Sequence, residues 1–198
     1  MELAPDRSRF VLERPIVGEP GVQWTYNGGA TALLGRLITQ GTGETLPDYA
    51  RRVLFDPLGL GPTAWSNGMH GEAAAASGLR MRAPDLLRIG QMIMAGGTWQ
   101  GRQMVPQAWL ERSTTPVVTI DGPFRYGWHW YMSEVTVGAP AHAERLISGI
   151  GWGGQRLFLV PALALVVAMH AGNYRKPGEE QHRIANTLLT ELVLPAVA

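Results

Sequence analysis

The chain contains no cysteine. That excludes disulfides, thiolate metal sites and a cysteine nucleophile. It is nearly as poor in lysine: of its 17 basic residues only Lys176 is not an arginine. A mechanism that needs a buried lysine base must use Lys176 or take its lysine from elsewhere. Lys176 stands in the loop Arg175-Lys176-Pro177-Gly178, where a solvated surface charge is expected. Charge of one sign is also scarce. The formal net charge is +1 with no basic block, so no nucleic-acid partner is expected. Long apolar runs are missing. Leu157–Val160 and Leu163–Met169 are strand-sized and separated at Pro161, so no membrane span is expected. The opening Met1-Glu2-Leu3-Ala4-Pro5-Asp6 has no leader pattern, and nothing here sets a compartment. His70, His129, His142, His170 and His182 show no metal-binding spacing. Glu179 and His182 have helical ligand spacing but no second cluster, which suits a solvated face. No metal or cofactor is expected.

What is present suits a globular protein. With 198 residues and 45% apolar composition, the chain is one domain or part of a larger one. Residues 1–19 read as an irregular lead-in, charged and interrupted by Pro5 and Pro15. The central stretch runs from Pro20 to Gly43. It reads as extended and aromatic up to Tyr26, then helical, with Ala30, Leu33, Leu34, Leu37 and Ile38 on one face. Thr45, Pro47 and Asp48 read as the start of a second helix, and Pro84 opens a third that Gly96-Gly97 ends. A turn at Trp99–Arg102 and a short helix at Pro106–Arg112 follow.

The period then changes. Tyr126–Met132 reads as one strand, with Trp128 and Trp130 on one face. Leu146–Val160 and Leu163–His170 read as two more, joined at Pro161-Ala162. Glu180–Leu194 reads as a closing amphipathic helix. Helices, then antiparallel strands, then a helix make an α+β pattern. The expected organisation is a mainly helical part over 20–115 and a sheet with its closing helix over 124–198.

Two stretches are candidates for chemistry. Tyr26 holds a phenol where the backbone turns into a helix, beside Asn27-Gly28-Gly29, small residues that leave room for a ligand. Half-buried packing is the competing reading. Ser148-Gly149-Ile150-Gly151-Trp152-Gly153-Gly154-Gln155 lets another group approach the backbone, and on a sheet edge it presents N–H groups to a developing oxyanion. A glycine bulge is the competing reading there. A dinucleotide fingerprint is not expected, because Gly149-x-Gly151 precedes a strand, whereas that motif opens a helix. Asp85, at the head of the third helix, reads as a dipole partner.

The order of these segments resembles the serine β-lactamase-related hydrolases. These are penicillin-binding proteins, class C β-lactamases, related esterases and aminohexanoate-oligomer amidases. The segments are YNGGATALLG, the LFDPLGL loop, SGLRMRAPDLL, RYGWHWY, GIGWGGQ, the apolar strand and the last helix, over about residues 20–194. The resemblance implies a β-lactamase/transpeptidase-like fold and acyl transfer through three elements: Ser-x-x-Lys, Tyr-x-Asn and Lys/His-Thr-Gly. Tyr26 matches the tyrosine that moves protons. Gly28 stands where the asparagine is expected, and Asn27 is shifted by one. Gly149, Ile150 and Gly151 match the third element, without its cation and threonine. The resemblance makes the Trp152 N–H the oxyanion donor, and Gly153 and Gln155 complete a motif most like the amidase and esterase branch.

The first element is missing. No serine in this chain has lysine three places on. The expectation is therefore the C-terminal part of one catalytic domain, whose partner is a missing N-terminal segment carrying Ser-x-x-Lys. A free phenol, with a pKa near ~10, is a poor base at neutrality without a nearby cation. The chain alone is expected to be inactive. With glycine at position 149, small esters or amides are favoured over β-lactams as substrate, unless Arg125 or Arg156 replaces the lost cation. A non-catalytic binding or structural module that keeps the fold is the alternative.

Overall fold

A computed structural model describes residue 4, residues 6–68 and residues 71–197. They form two compact units, Met1–Arg82 and Ala83–Ala198.

The first unit is built on helices. Residues 1–19 are not wholly irregular: α1 spans Arg7–Leu12, with Asp6 accepting from the Arg9 N–H as its cap. A six-residue helix with one good cap leaves too short a period to be read from sequence. Pro20–Gln23 is a turn and not extended, since the N–H groups of Val22 and Gln23 both reach the Glu19 carbonyl. Helix α2 spans Gly28–Thr42 and ends on Gly43 at φ 73°. Helix α3 spans Leu46–Ala50, with Thr45 as cap and Pro47 in its first turn, and runs on into a wider turn over Arg51–Phe55. The Thr45 hydroxyl donates to the Asp48 carboxylate and accepts from the Asp48 N–H, which fixes the first turn on its cap. Two short strands, β1 (Ala64–Trp65) and β2 (Leu79–Arg80), pair antiparallel.

The second unit is a six-stranded antiparallel sheet with a helix layer on each face. Helix α4 (Ala83–Met94) precedes a small hairpin, β3 (Thr98–Trp99) and β4 (Arg102–Gln103). Gln100 and Gly101 both have positive φ in its two-residue turn. Helix α5 spans Gln107–Ser113. The sheet strands are β5 (Val118–Asp121), β6 (Phe124–Gly127), β7 (Trp130–Val137), β8 (His142–Gly151), β9 (Gln155–Val160) and β10 (Leu165–Met169), in the order β10-β9-β8-β7-β6-β5. Helix α6 (Gly178–Thr187) continues through a wider turn at Leu188–Val193 into α7 (Leu194–Val197).

Strand β9 explains the layering. Phe158 and Val160 pack with Ala185, Leu189 and Leu194 on the α6–α7 side. Leu157 and Leu159 alternate with them and pack with Leu86, Ile93 and Met94 of α4 on the other. A strand covered on both faces loses the polar alternation of a half-exposed one. Gly90 lets α4 lie close to the sheet: a Cβ there would fall 2.5 Å from Val166 Cγ1. Thus α4, which follows the helical segments in sequence, packs with the strands.

Two expected strands are hairpins. Tyr126–Met132 turns at Trp128 and His129, both at positive φ. Leu146–Val160 turns at Trp152–Gly154, between the paired residues Gly151 and Gln155.

Candidate active site

Each unit carries one of the two motifs. In the first unit, Asn27 adopts an extended conformation and caps α2. Its Oδ1 accepts from the N–H groups of Gly29 at 2.9 Å and Ala30 at 3.2 Å. A capping asparagine contributes about 1 kcal/mol and fixes where the helix starts. Tyr26 is therefore held immediately before the helix, with its side chain 72% exposed. Its ring lies 6.4 Å from that of Trp24. The space left by Gly29 is filled by the chain itself, since a Cβ there would lie 2.8 Å from Val11 Cγ2 of α1. At Gly28 a Cβ would meet only Ala76, at 3.6 Å. A cavity of about 470 Å³ in this unit is lined by Arg36, Thr39, Asn67 and Glu72 among others, and not by Tyr26.

In the second unit the β8–β9 hairpin gathers Gly149, Ile150, Gly151, Trp152, Gly153 and Gln155 around one turn. It lies where β8 runs past its neighbour: β7 pairs only as far as Ser148, so Gly149, Ile150 and Gly151 pair with β9 alone. What it offers is the turn at the strand ends. Gly153 and Gly154 have φ values of 84° and 94°, a region costly for residues with a Cβ. At Gly153 a Cβ would also lie 2.4 Å from the Tyr174 ring.

The turn is tied down from several sides. The Gly153 N–H donates to Gln181 Oε1 at 2.7 Å, and Gln181 Nε2 donates to the Lys176 carbonyl at 2.8 Å. Gln181 is buried in α6. The Asn173 N–H donates to the Gly153 carbonyl at 3.0 Å. Gln155 Nε2 donates to the Ala171 carbonyl, which orients the amide so that its Oε1 accepts from His170 Nδ1 at 2.9 Å. Arg156 Nη1 donates to the carbonyls of Gly151 at 3.0 Å and Gln155 at 2.7 Å. The Trp152 indole is exposed and lies near Gly178, at the head of α6.

Gln181 and Tyr174 were not among the sequence candidates, and Arg156 and His170 were considered there only as a replacement cation and as a scattered histidine. Gln181 carried a signal: it occupies the apolar stripe of α6, four residues before buried Ala185. A buried amide in such a stripe needs partners, and here they are the turn.

The cations are committed. Arg125 Nη1 donates to the Gly122 carbonyl at 2.7 Å, and Arg156 to the two hairpin carbonyls. Lys176 pairs with Glu180 and holds that carboxyl below its usual range, chiefly through their hydrogen bond. Asp85 is fully buried and pairs with Arg88 at 3.2 Å, a structural role. His70 lies outside the described residues. Among the described residues no cluster of three or more histidine or carboxylate side chains is placed to hold a metal.

Gly149 is not required by the backbone. Its φ is not positive, and a Cβ would meet Trp130 and Leu157 at an ordinary 3.6 Å. Gly149→Ala is therefore expected to leave stability within about 0.5 kcal/mol, as read from the urea midpoint.

A β-lactamase family model matches residues 2–191. A search of curated proteins returned no match. Solved structures share the fold. One, named "Putative 6-aminohexanoate-dimer hydrolase from Bacillus anthracis", is 22% identical with a TM-score of 0.79, covering 94% of this chain and 47% of its own. A class C β-lactamase is 19% identical with a TM-score of 0.67, covering 91% and 60%. An octameric penicillin-binding protein homologue from Pyrococcus abyssi is 19% identical with a TM-score of 0.65, covering 91% and 46%. This chain thus spans less than two thirds of each. With an α+β fold of β-lactamase/transpeptidase type and a family match over most of its length, the chain belongs to the β-lactamase family.

Proposed function

We propose that this chain provides the proton-transfer tyrosine and the oxyanion-binding turn of a serine hydrolase that cleaves small esters or amides. The observation that carries the reading is the Gly149–Gln155 hairpin, whose turn is held by Arg156, Gln181 and Asn173. A turn fixed in advance presents its N–H without reorganisation when charge develops, and such preorganised donors dominate acyl transfer. The serine and its lysine come from a Ser-x-x-Lys segment outside this chain, which spans 47% of the Bacillus anthracis structure.

The serine oxygen attacks the substrate carbonyl, and the lysine takes its proton. The carbonyl oxygen becomes an oxyanion that accepts from the Trp152 N–H. Tyr26 relays that proton from the lysine to the leaving alcohol or amine as its bond to the carbonyl carbon breaks and the acyl–serine ester forms. Water then attacks that ester, its proton returns by the same groups to the departing serine oxygen, and the acid is released. Gly28, Gly149, Ile150, Gly151, Gly153 and Gln155 line the substrate, and Asn27, with Oδ1 at the cap, contributes its Nδ2. With glycine at 149 and both nearby arginines bound to carbonyls, the site suits uncharged esters and amides better than a β-lactam carboxylate. The Bacillus anthracis structure is named for the hydrolysis of a 6-aminohexanoate dimer, whose internal bond is an amide.

A fluorophosphonate probe tests the reading. This chain alone is expected to take up none, and a polypeptide that adds the Ser-x-x-Lys segment one per molecule. Labelling of a serine within this chain would overturn the assignment. So would a full polypeptide that hydrolyses cephalosporins faster than short nitrophenyl esters, for the substrate class. One observation favours a non-catalytic binding module instead, namely that no serine here has its lysine. A coding sequence with no in-frame Ser-x-x-Lys beside a stably folded product would decide for it.

A further inference from the structure

We propose that Arg156 is a positioning residue that orients and polarises the oxyanion donor; this rests on the assignment of that donor to the Trp152 N–H. The relevant unit is the peptide bond joining Gly151 to Trp152. It is planar and trans, so its C=O and N–H point in opposite directions. Arg156 Nη1 holds the Gly151 carbonyl at 3.0 Å. Fixing that oxygen fixes the direction of the Trp152 N–H on the other side of the plane. The same Nη1 holds the Gln155 carbonyl at 2.7 Å, so one guanidinium grips both residues of the pair that closes the hairpin.

The choice of an arginine is hard to explain as packing. Arg156 is 2% exposed, on the β9 face whose next members, Phe158 and Val160, are core. Among the described residues no carboxylate pairs with it, and its Nε has no partner. Burying a guanidinium against carbonyl dipoles alone costs several kcal/mol, and an apolar side chain in a core is often no less stable. What the apolar residue lacks is the charge. A cation on a carbonyl withdraws electron density from its amide, and hydrogen bonds in series strengthen one another, so the Trp152 N–H becomes a better donor. The charge is not diluted by its neighbour. Partial burial and then the field of Arg156 both hold His182 below the usual imidazole range. The adjacent amide is already assigned, because the Gly153 N–H is bound to Gln181. Arg156 and Gln181 therefore divide the turn between them, one acting on the carbonyls and one on the amide that faces α6.

The test uses Arg156→Met, close in length and uncharged, and Arg156→Lys, which keeps the charge. In this chain, amide NMR of Arg156→Met is expected to show an upfield shift of the Trp152 proton while resonances of the α4 side of the sheet stay in place. In the polypeptide carrying the nucleophile, Arg156→Met is expected to lower kcat about tenfold to a hundredfold, below the ~10²–10³-fold cost of losing a donor outright. KM is expected to stay within about twofold, and Arg156→Lys to recover part of kcat. An unmoved Trp152 amide, an unchanged kcat in a folded variant, or failure of both variants to fold would overturn the proposal. Trp152→Pro separates it from the reading beneath. If that change lowers kcat and Arg156→Met does not, only the role of Arg156 fails. If Trp152→Pro has no effect, the donor assignment itself fails, and Arg156 falls with it.

Discussion

Trp152→Pro, made in the polypeptide that carries the nucleophile, is expected to lower the acylation rate about 10²–10³-fold. Trp152→Ala is expected to stay within a few fold of the parent. The contrast isolates one hydrogen. Proline removes the backbone N–H, whereas alanine keeps it and removes the indole. The preceding residue tolerates the change, because Gly151 ends strand β8 and proline favours an extended neighbour. The indole is 62% exposed and stands near Gly178, so its loss opens no core cavity. Single-turnover acylation with a short nitrophenyl ester measures both variants. Equal losses would place the effect in the indole and remove the backbone from the mechanism. A loss confined to proline would leave the N–H as the group that meets the oxyanion.

Much of the fold could be read from the chain where one physical signal dominated. Thr45 and Pro47 marked the start of α3 because a short side chain with an acceptor oxygen caps a helix and the first turn tolerates proline. The apolar run Leu157–Val160 was legible as strand, and the structure buries it on both faces. The misses have equally local causes. Trp128 and His129 occupy a tight turn at φ 49° and 75°. Residues with side chains rarely do so, and the aromatic run looked continuous. The turn is supported from outside its own sequence. Trp109 meets the Trp128 ring edge-on at 5.4 Å, and the Arg112 guanidinium lies over that ring, 5.1 Å from its centre. The Gly149–Gln155 hairpin was hidden differently, since its glycines were legible as close approach but not as a reversal. Tyr26, Trp152 and the glycines came from motif order. The hold of Arg156 and Gln181 on the turn is visible only in the fold. Their partners are backbone groups 5 and 28 positions away, and a side chain that binds backbone leaves no pattern in the sequence.

Phe158→Ala is expected to destabilise the sheet unit by about 3–5 kcal/mol. The side chain is 2% exposed and sits among Val135, Val137, Leu146, Ala185 and Leu189, so truncation leaves a cavity between sheet and helix. Domains of this size are stable by only about 5–15 kcal/mol, so the change takes a large fraction. Leu159→Ala, next along the strand, is expected to cost a comparable ~2–5 kcal/mol, but on the α4 side. The two variants therefore separate stability from support of the turn. Phe158 packs against α6, and α6 carries Gln181, whose Oε1 holds the Gly153 N–H. Loosening that helix frees the amide, whereas loosening α4 leaves its partner in place. Hydrogen exchange under native conditions reads the difference. The Gly153 amide is expected to lose protection in Phe158→Ala by more than its loss of global stability requires. In Leu159→Ala it is expected to follow the global value. Equal behaviour in the two variants would mean that the turn is held by the sheet as a whole and not by α6.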